Sequence, residues 1–140
     1  MNNFFSYPHR VQLHEIDGAG LLFYGELFRL THNAYEEMLF SNNLPLHNII
    51  QQRGEAIPLV HADADYHQPI KLGETLTLTI QVTAIGNHSF TLKTLTHGFD
   101  DGGKPQLKAT VTTTHVTTSI DSGEKIPLPD ALRDILQRYE

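Results

Sequence analysis

Hydrophobic residues recur at two different spacings along the chain, and the change of spacing marks where a strand gives way to a helix. Residues 5–13 carry apolar side chains at alternate positions, interrupted at His9, which predicts a first strand. Across residues 23–40 the spacing becomes three and four, which predicts an amphipathic helix roughly 27 Å long. Its apolar face comprises Tyr24, Leu27, Phe28, Thr31, Ala34, Tyr35, Met38 and Leu39.

The rest of the chain is dominated by alternating patterns bounded by turn residues. Residues 75–83 alternate polar and apolar side chains without interruption, which is typical of a strand with one face on a core. Further strands are predicted at residues 57–66, 89–99 and 106–118, and shorter helices at residues 46–52 and 129–139.

The long strands and the long helix together indicate the fold class. The connections between the long strands are too short for parallel crossovers, so the sheet is predicted to be antiparallel. The helix must bury its apolar face, and the sheet is the available partner. The sequence therefore predicts an α+β fold with a curled antiparallel β-sheet wrapped around one long central helix. A length of 140 residues fits a single domain, which we expect to span residues 1–140.

Composition narrows the range of functions. The chain contains no cysteine, which excludes disulfides, thiolate metal sites and a cysteine nucleophile. A net charge of -6 without a basic cluster argues against a nucleic-acid partner, because neutralising phosphates requires many cations. No apolar run is long enough to span a membrane and no segment resembles a signal peptide, so we expect a cytoplasmic protein without a membrane partner.

Short motifs bear on three kinds of site: a serine hydrolase, a nucleotide site and a metal site. Neither a Gly-x-Ser-x-Gly elbow nor a phosphate-binding loop occurs, which argues against a serine hydrolase of that type and against nucleotide binding. His61, Asp63 and Asp65 alternate on a predicted strand and share one face, where they could hold a divalent ion. A solvated strand face explains the same pattern and no fourth ligand is suitably spaced, so no metal site is predicted.

The segment from His14 to Gly20 carries the most informative chemistry. Asp17 follows the first predicted strand, and Gly18 and Gly20 allow a sharp turn and close approach of a ligand. The long helix begins shortly afterwards, and a helix N-terminus presents unpaired N–H groups. A carboxylate beside polarising amides can hydrolyse an activated ester. The simpler alternative is that Asp17 only caps a turn or the helix.

The same segment extends into a longer family-like pattern. Residues 17–24 read DGAGLLFY and are followed by a helix that carries Phe28, His32, Ala34, Tyr35 and Glu36. Further along the chain, the features that belong to the same pattern are VHADADY at residues 60–66, Pro69, Gly73, and Ile85-Gly86 ahead of Ser89. Over residues 7–118 the chain resembles the hotdog-fold acyl-CoA thioesterases of the 4-hydroxybenzoyl-CoA thioesterase type.

This resemblance implies a site and an assembly. The active sites of this protein would lie between the protomers of a dimer, and dimers would pair into tetramers. Asp17 would be the catalytic carboxylate, acting as nucleophile through a mixed anhydride or as general base on water, and the Tyr24 backbone N–H would polarise the thioester carbonyl. Neither a metal nor an organic cofactor would take part. We also place Gly20, His61 and Ser89 in binding of the acyl-CoA substrate, with Lys93 and Lys108 as cations for CoA, although solvated strand lysines explain these two equally well.

A narrower resemblance suggests the acyl group. AYEE at residues 34–37, LHNII at 46–50 and IPLVHA at 57–62 resemble the cyanobacterial 1,4-dihydroxy-2-naphthoyl-CoA hydrolases, which implies a role in phylloquinone or menaquinone synthesis. One alternative is a thioesterase for another aryl- or fatty-acyl-CoA or acyl carrier protein. An alternative of a different class is a non-catalytic acyl-CoA-binding module. A site that only binds acyl-CoA would place the uncompensated Asp17 carboxylate beside an apolar ligand, which is unfavourable. This argument favours the enzyme.

Overall fold

The computed structural model describes residues 3–140. Its helices are α1 (Tyr24–Ser41), α2 (Leu46–Gln51) and α3 (Asp130–Arg138), and a short 3-10 helix occupies Leu13–Glu15. Its strands are β1 (Phe5–Arg10), β2 (Glu55–Ala56), β3 (Leu59–Tyr66), β4 (Thr75–Ile85), β5 (Ser89–Phe99), β6 (Pro105–Val116) and β7 (Thr118–Ser119).

Five of the strands form one antiparallel sheet in the order β1-β4-β5-β6-β3, and β2 and β7 form a separate pair. The long strands β4, β5 and β6 are neighbours in sequence and in the sheet, because each short connection reverses the chain direction. The predicted antiparallel sheet is confirmed.

Helix α1 and the sheet supply most of the core, and α3 adds Leu132, Ile135 and Leu136. Fully buried side chains of α1 recur at spacings of three and four: Leu27, Leu30, Ala34, Met38 and Leu39. The inward side chains of β4 recur at spacing two: Leu76, Leu78, Ile80 and Val82. The two periodicities present continuous apolar faces to each other, and truncating one such buried leucine to alanine typically costs about 2–5 kcal/mol.

The first strand is shorter than predicted. It ends at Arg10 rather than at residue 13, so the prediction that Asp17 stands at the end of the first strand is wrong. The chain turns instead into the 3-10 helix, where the Glu15 N–H donates to the Gln12 carbonyl at 3.0 Å and the Gln12 N–H donates to Glu15 Oε1 at 2.7 Å. This turn brings the segment around Asp17 back toward the start of α1.

The two edges of the large sheet differ. Strand β1 carries Pro8, which cannot donate to a further strand. Strand β3 pairs only with β6 within residues 3–140, and all its residues are exposed except the half-buried Ala64.

None of the helices in this part of the chain combines the length and apolar character that crossing a bilayer requires.

Candidate active site

Asp17 lies in a tight turn that holds one of its carboxylate oxygens. Asp17 Oδ1 accepts the backbone N–H groups of Ala19 at 2.8 Å and Leu21 at 3.1 Å. The backbone closes the turn, because the Asp17 N–H donates to the Leu21 carbonyl at 2.7 Å and the Gly20 N–H donates to the Asp17 carbonyl at 3.2 Å. Gly20 has φ of 81°, a left-handed conformation that glycine adopts without strain. Oδ2 accepts no hydrogen bond from residues 3–140, so the turn orients the carboxylate and leaves one oxygen available.

The connection between β3 and β4 holds this turn in place. The Leu22 N–H donates to the Ile70 carbonyl at 2.7 Å, and the Leu72 N–H donates to the Gly20 carbonyl at 3.2 Å. Leu21 also forms an isolated bridge with Lys71. The turn is therefore fixed on both sides of Gly20 by backbone hydrogen bonds to one neighbouring segment.

Helix α1 begins immediately after the turn and presents a free donor there. Phe23 is the N-cap residue and gives no side-chain cap, while its carbonyl accepts the Glu26 N–H at 2.9 Å. The Tyr24 N–H has no acceptor among residues 3–140. The first N–H groups of a helix carry its partial positive charge, so this donor suits an oxygen that gains negative charge.

Asp17 and the start of α1 share the wall of a cleft of about 590 Å³. The cleft is lined by Asp17, Leu21, Leu22, Phe23, Tyr24, Tyr66, His67, Gln68, Pro69 and Ile70. Most of these side chains are apolar or aromatic, and the Phe23 and Tyr24 rings lie 4.6 Å apart. Apolar walls of this kind can hold an apolar acyl group. A carboxylate and a free amide on the same wall can then hydrolyse its ester.

Tyr66 ties the exposed edge strand to the start of α1. Its hydroxyl donates a hydrogen bond to the Tyr24 carbonyl. Burial, together with the nearby Tyr24 hydroxyl, raises the pKa of Tyr66 above its ordinary value, so the hydroxyl remains a donor at neutral pH. The last residue of β3 therefore helps to position the first turn of the helix.

A cluster of charged side chains surrounds the buried Glu15, two residues before Asp17. Glu15 is only 1% exposed, and its carboxylate lies 2.8 Å from His9 Nε2 and accepts a hydrogen bond from Arg29 Nη2 at 2.6 Å. Arg29 also donates to Glu26 at 2.6 Å, which joins the cluster to the first turns of α1. The cluster therefore connects β1, the 3-10 helix and α1.

The charge state of Glu15 follows from these contacts. Burial alone would raise the pKa of Glu15, but the hydrogen bonds from His9 and the Gln12 N–H and the charges of His9 and Arg29 outweigh it. The pKa of Glu15 therefore lies below its ordinary value, and the carboxylate is ionised at neutral pH. The Glu15 backbone carbonyl accepts the Phe23 N–H at 2.9 Å, which joins this residue to the N-cap of α1.

Gly20 is in the Asp17 turn, but other predicted substrate contacts lie elsewhere on the chain. His61 is exposed on β3 with its ring 2.7 Å from Asp63, and Ser89 is the half-buried first residue of β5. Neither side chain lines the cleft described above. In a single chain, therefore, the structure does not bring them together with Asp17.

The two lysines that were predicted to bind CoA have different surroundings. Lys93 is exposed in the middle of β5, opposite Thr112 of β6. Lys108 is buried, with its ammonium 3.1 Å from a Glu74 carboxylate oxygen and 3.3 Å from the Pro69 carbonyl, to which it donates. Neither lysine lines the cleft.

Possible metal ligands do not converge in the part of the chain that the structure describes. No group of three or more histidine, aspartate or glutamate side chains there is arranged to hold a metal ion. His61 and Asp63 form only an exposed pair.

The sequence analysis missed Tyr66 and the Glu15 cluster. A signal for the cluster was present, because His9 lies on the same half-buried face of β1 as Phe5 and Tyr7. A polar residue on an inward face requires a polar partner. The sequence could have indicated that such a partner exists, but the pairing with Glu15 depends on the 3-10 turn.

Comparisons with known proteins identify the family of the chain. A family profile described as the thioesterase-like superfamily matches residues 11–136. The chain belongs to this superfamily. A 1,4-dihydroxy-2-naphthoyl-CoA hydrolase of Synechocystis is 34% identical over 125 residues, which cover 89% of this chain and 88% of the relative.

Solved structures support the fold. The crystal structure of a 1,4-dihydroxy-2-naphthoyl-CoA thioesterase from Synechocystis matches with a TM-score of 0.87 and 30% identity, covering 96% of both chains. The 4-hydroxybenzoyl CoA thioesterase from a Pseudomonas strain matches with a TM-score of 0.85 and 19% identity, covering 94% of this chain and 98% of that one. The predicted α+β hotdog fold and the resemblance to this thioesterase family are confirmed.

Proposed function

We propose that the chain hydrolyses 1,4-dihydroxy-2-naphthoyl-CoA to 1,4-dihydroxy-2-naphthoate and CoA, as a step of phylloquinone or menaquinone synthesis. The relatives that carry this activity in their names match nearly the whole chain, which supports the proposed substrate. The observation that carries the reaction type is the carboxylate of Asp17 beside the unpaired Tyr24 N–H on one wall of an apolar cleft. We propose that residues 1–140 act as one catalytic domain.

Asp17 performs the chemistry in this proposal by one of two routes. As a nucleophile, its oxygen bonds to the thioester carbon, the carbon–sulfur bond breaks, and water then hydrolyses the mixed anhydride. As a general base, it takes a proton from water while the water oxygen attacks the same carbon; the carbon–sulfur bond then breaks, and the proton passes to the leaving thiolate. In both routes the products are the free acid and the CoA thiol.

The start of α1 stabilises the charge that develops during this step. In the proposal, the thioester oxygen accepts the Tyr24 N–H, and the negative charge that forms on that oxygen faces the positive end of the helix. Removing one such donor typically costs about 10²–10³-fold in kcat. The Tyr66 hydroxyl acts as a positioning group, because it holds the Tyr24 carbonyl.

The complete site in this proposal is shared between protomers. The exposed edge of β3 carries the apolar side chains Leu59, Val60 and Tyr66, and pairing with a second copy would cover them. A partner protomer would then bring its own β3 residues, including His61, to the neighbourhood of the cleft. Contacts of His61, Ser89, Lys93 and Lys108 with CoA stay predictions, as does the pairing of dimers into tetramers.

Release of CoA from a panel of thioesters tests the proposed reaction. We expect kcat/KM to be highest for 1,4-dihydroxy-2-naphthoyl-CoA and lower for benzoyl-, hexanoyl- and palmitoyl-CoA. A preference for palmitoyl-CoA would contradict the substrate but not the thioesterase reaction. Binding without CoA release from any thioester would support the non-catalytic acyl-CoA-binding module instead.

Light scattering with an edge variant tests the proposed assembly. We expect wild type to be an oligomer and Val60→Lys, which places a charge on the β3 edge, to shift the mass toward the monomer. Ile120→Lys is the matched control, because Ile120 is a similarly exposed apolar residue outside β3. A wild-type monomer of 15.8 kDa at micromolar concentration would contradict the shared site.

A further inference from the structure

Two buried polar atoms in the middle of the molecule have no partner. Tyr35 Oη and His115 Nδ1 make no hydrogen bond with any of residues 3–140, although Tyr35 is 2% exposed and His115 is 4% exposed. Buried polar groups are nearly always paired, because leaving one unpaired is costly. Neither side chain has a role in the hydrolysis described above.

The packing of the rings keeps these atoms where they are. The His115 ring stacks on Phe90 at 4.9 Å and on Tyr35 at 4.6 Å, and the Tyr35 and Phe90 rings lie 6.2 Å apart, so the three rings form one cluster. His115 Nε2 also lies 3.1 Å from Thr113 Oγ1. Turning the ring over in its plane would move Nε2 away from Thr113, so this hydrogen bond favours the present orientation of Nδ1.

Both side chains line a small recess between α1 and the start of β3. Its volume is about 40 Å³, and its walls are Phe28, Thr31, His32, Tyr35, Leu59, Thr113 and His115. This is room for about one water molecule or one hydroxyl group. Leu59 belongs to the β3 edge that a second copy covers in the proposed assembly, so the recess lies beside the proposed interface.

The recess and the cleft lie along the same face of α1. Tyr24, Phe28 and Tyr35 follow the spacing of four and seven residues that places side chains above one another on a helix. Thr31 in the recess is roughly 10 Å along the axis from Tyr24, at 1.5 Å per residue. Helical side chains lean toward the N-terminus, so Tyr35 reaches back toward the cleft.

We propose that the recess receives a hydroxyl group of an aromatic acyl group, with Tyr35 Oη and His115 Nδ1 as the hydrogen-bonding pair that recognises it. The hydroxyl accepts from the tyrosine and donates to the histidine. The thioester carbonyl remains at the Tyr24 N–H while the ring extends along α1. This assignment rests on the proposed function and adds to it the residues that select the acyl group.

The protonation states of the pair suit a neutral hydroxyl ligand. Burial, with a smaller effect of the nearby His32, lowers the pKa of His115 to about 4, so its ring is neutral at pH 7. In the tautomer with its proton on Nε2, the ring donates to Thr113 and Nδ1 is an acceptor. Burial also raises the pKa of Tyr35, which keeps its hydroxyl as a donor.

A site of this kind discriminates against substrates that lack the hydroxyl. An analogue without it leaves the two buried atoms unpaired in the complex, whereas the correct substrate satisfies both. The relevant pair of probes is 1,4-dihydroxy-2-naphthoyl-CoA and 1-hydroxy-2-naphthoyl-CoA. They differ only in the hydroxyl farther from the thioester.

The experiment compares this pair of substrates in wild type and Tyr35→Phe. We expect wild type to prefer the dihydroxy substrate in kcat/KM, and Tyr35→Phe to reduce that ratio by about tenfold. Folding should be preserved, since the variant removes a hydroxyl that has no partner. Tyr139→Phe is the matched control, because the Tyr139 hydroxyl accepts from Asn42 at 3.0 Å outside the recess, and its ratio should match wild type.

Calorimetric binding of the two free acids separates this proposal from the proposed function. If wild type hydrolyses the dihydroxy substrate but Tyr35→Phe leaves both the ratio and the binding preference unchanged, the recess holds only water and the inference is overturned. If no thioester is hydrolysed but Tyr35→Phe weakens binding of 1,4-dihydroxy-2-naphthoate more than that of 1-hydroxy-2-naphthoate, recognition stands and the proposed hydrolysis fails.

Discussion

The turn at Asp17 has a near-identical counterpart at Asp100, in the connection between β5 and β6. Asp100 Oδ1 accepts the N–H groups two and four residues later, from Gly102 and Lys104, both at 2.9 Å. The Asp100 N–H donates to the Lys104 carbonyl at 2.8 Å, and the N–H of Gly103, with φ of 80°, donates to the Asp100 carbonyl at 3.0 Å. Asp17 makes the same four bonds with its own turn.

What differs between the two turns is the surroundings. The Asp17 turn is followed by the first turn of α1, with its unpaired Tyr24 N–H, whereas the Asp100 turn leads into a strand. Two residues before Asp17 lies the buried Glu15, and the corresponding position before Asp100 is Gly98. A hydrogen-bonded aspartate turn is therefore a common local structure, and only its position beside a helix N-terminus and a cleft makes the first one a candidate for catalysis.

The largest expected effect comes from removing the charge of the two aspartates in parallel. Asp17→Asn should lower kcat by at least about 10²-fold, because a positioned nucleophile or base has no replacement nearby. Asp100→Asn should leave kcat at the wild-type level. Both variants replace a carboxylate acceptor by a neutral amide oxygen in the same kind of turn, so their free energies of unfolding should fall equally, by no more than about 1 kcal/mol. CoA release and a thermal melt measure the two quantities.

Two outcomes would remove the distinction between the turns. Turnover of Asp17→Asn within about threefold of wild type would mean that another residue performs the chemistry. A parallel loss of turnover in Asp100→Asn would mean that aspartate turns act only through folding. Binding of substrate should change little in either variant, since the apolar cleft remains.

The sequence predicted the regular elements closely and the site only in part. Helix α1 begins and ends within one residue of the prediction, because its apolar spacing is uninterrupted and Asn42 and Asn43 follow it. The Asp17 turn was indicated by the local chemistry of its glycines. The contact between Tyr66 and Tyr24 could not be predicted from local sequence patterns, because the two residues are far apart in the sequence. For the same reason these patterns could not show that Tyr35 and His115 stack.

The second expected effect concerns the cluster that distinguishes the Asp17 turn. Glu15→Gln keeps the shape of the side chain but removes the charge that His9 and Arg29 contact, so the free energy of unfolding should fall by about 1–3 kcal/mol. Turnover of the folded fraction should fall less than tenfold, because Glu15 holds the turn and does not line the cleft. Chemical denaturation and CoA release at low temperature measure both. An unchanged stability with turnover as low as in Asp17→Asn would place Glu15 in the chemistry itself.

The stability difference between wild type and Glu15→Gln should depend on pH in a defined direction. The pKa of Glu15 is lowered in the folded state from its ordinary value of 4.5, so folding favours the ionised form. The stabilisation is therefore complete above about pH 4.5 and is lost as the pH falls through the folded-state pKa. Denaturation curves from pH 7 downward should show the two proteins converging in acid. A difference that grows as the pH falls would contradict the lowered pKa.

The smallest expected effect separates the shape of the turn from its chemistry. Gly20 and Gly103 have nearly the same positive φ, and a Cβ added at either position would meet no atom within 4 Å. Alanine at either position should therefore cost about 1–2 kcal/mol, from backbone strain alone. We expect Gly20→Ala and Gly103→Ala to lower the melting temperature equally and only Gly20→Ala to lower kcat, because strain there moves Asp17. Equal kcat values for the two variants would show that the Asp17 carboxylate tolerates displacement, and would weaken its assignment as a positioned nucleophile or base.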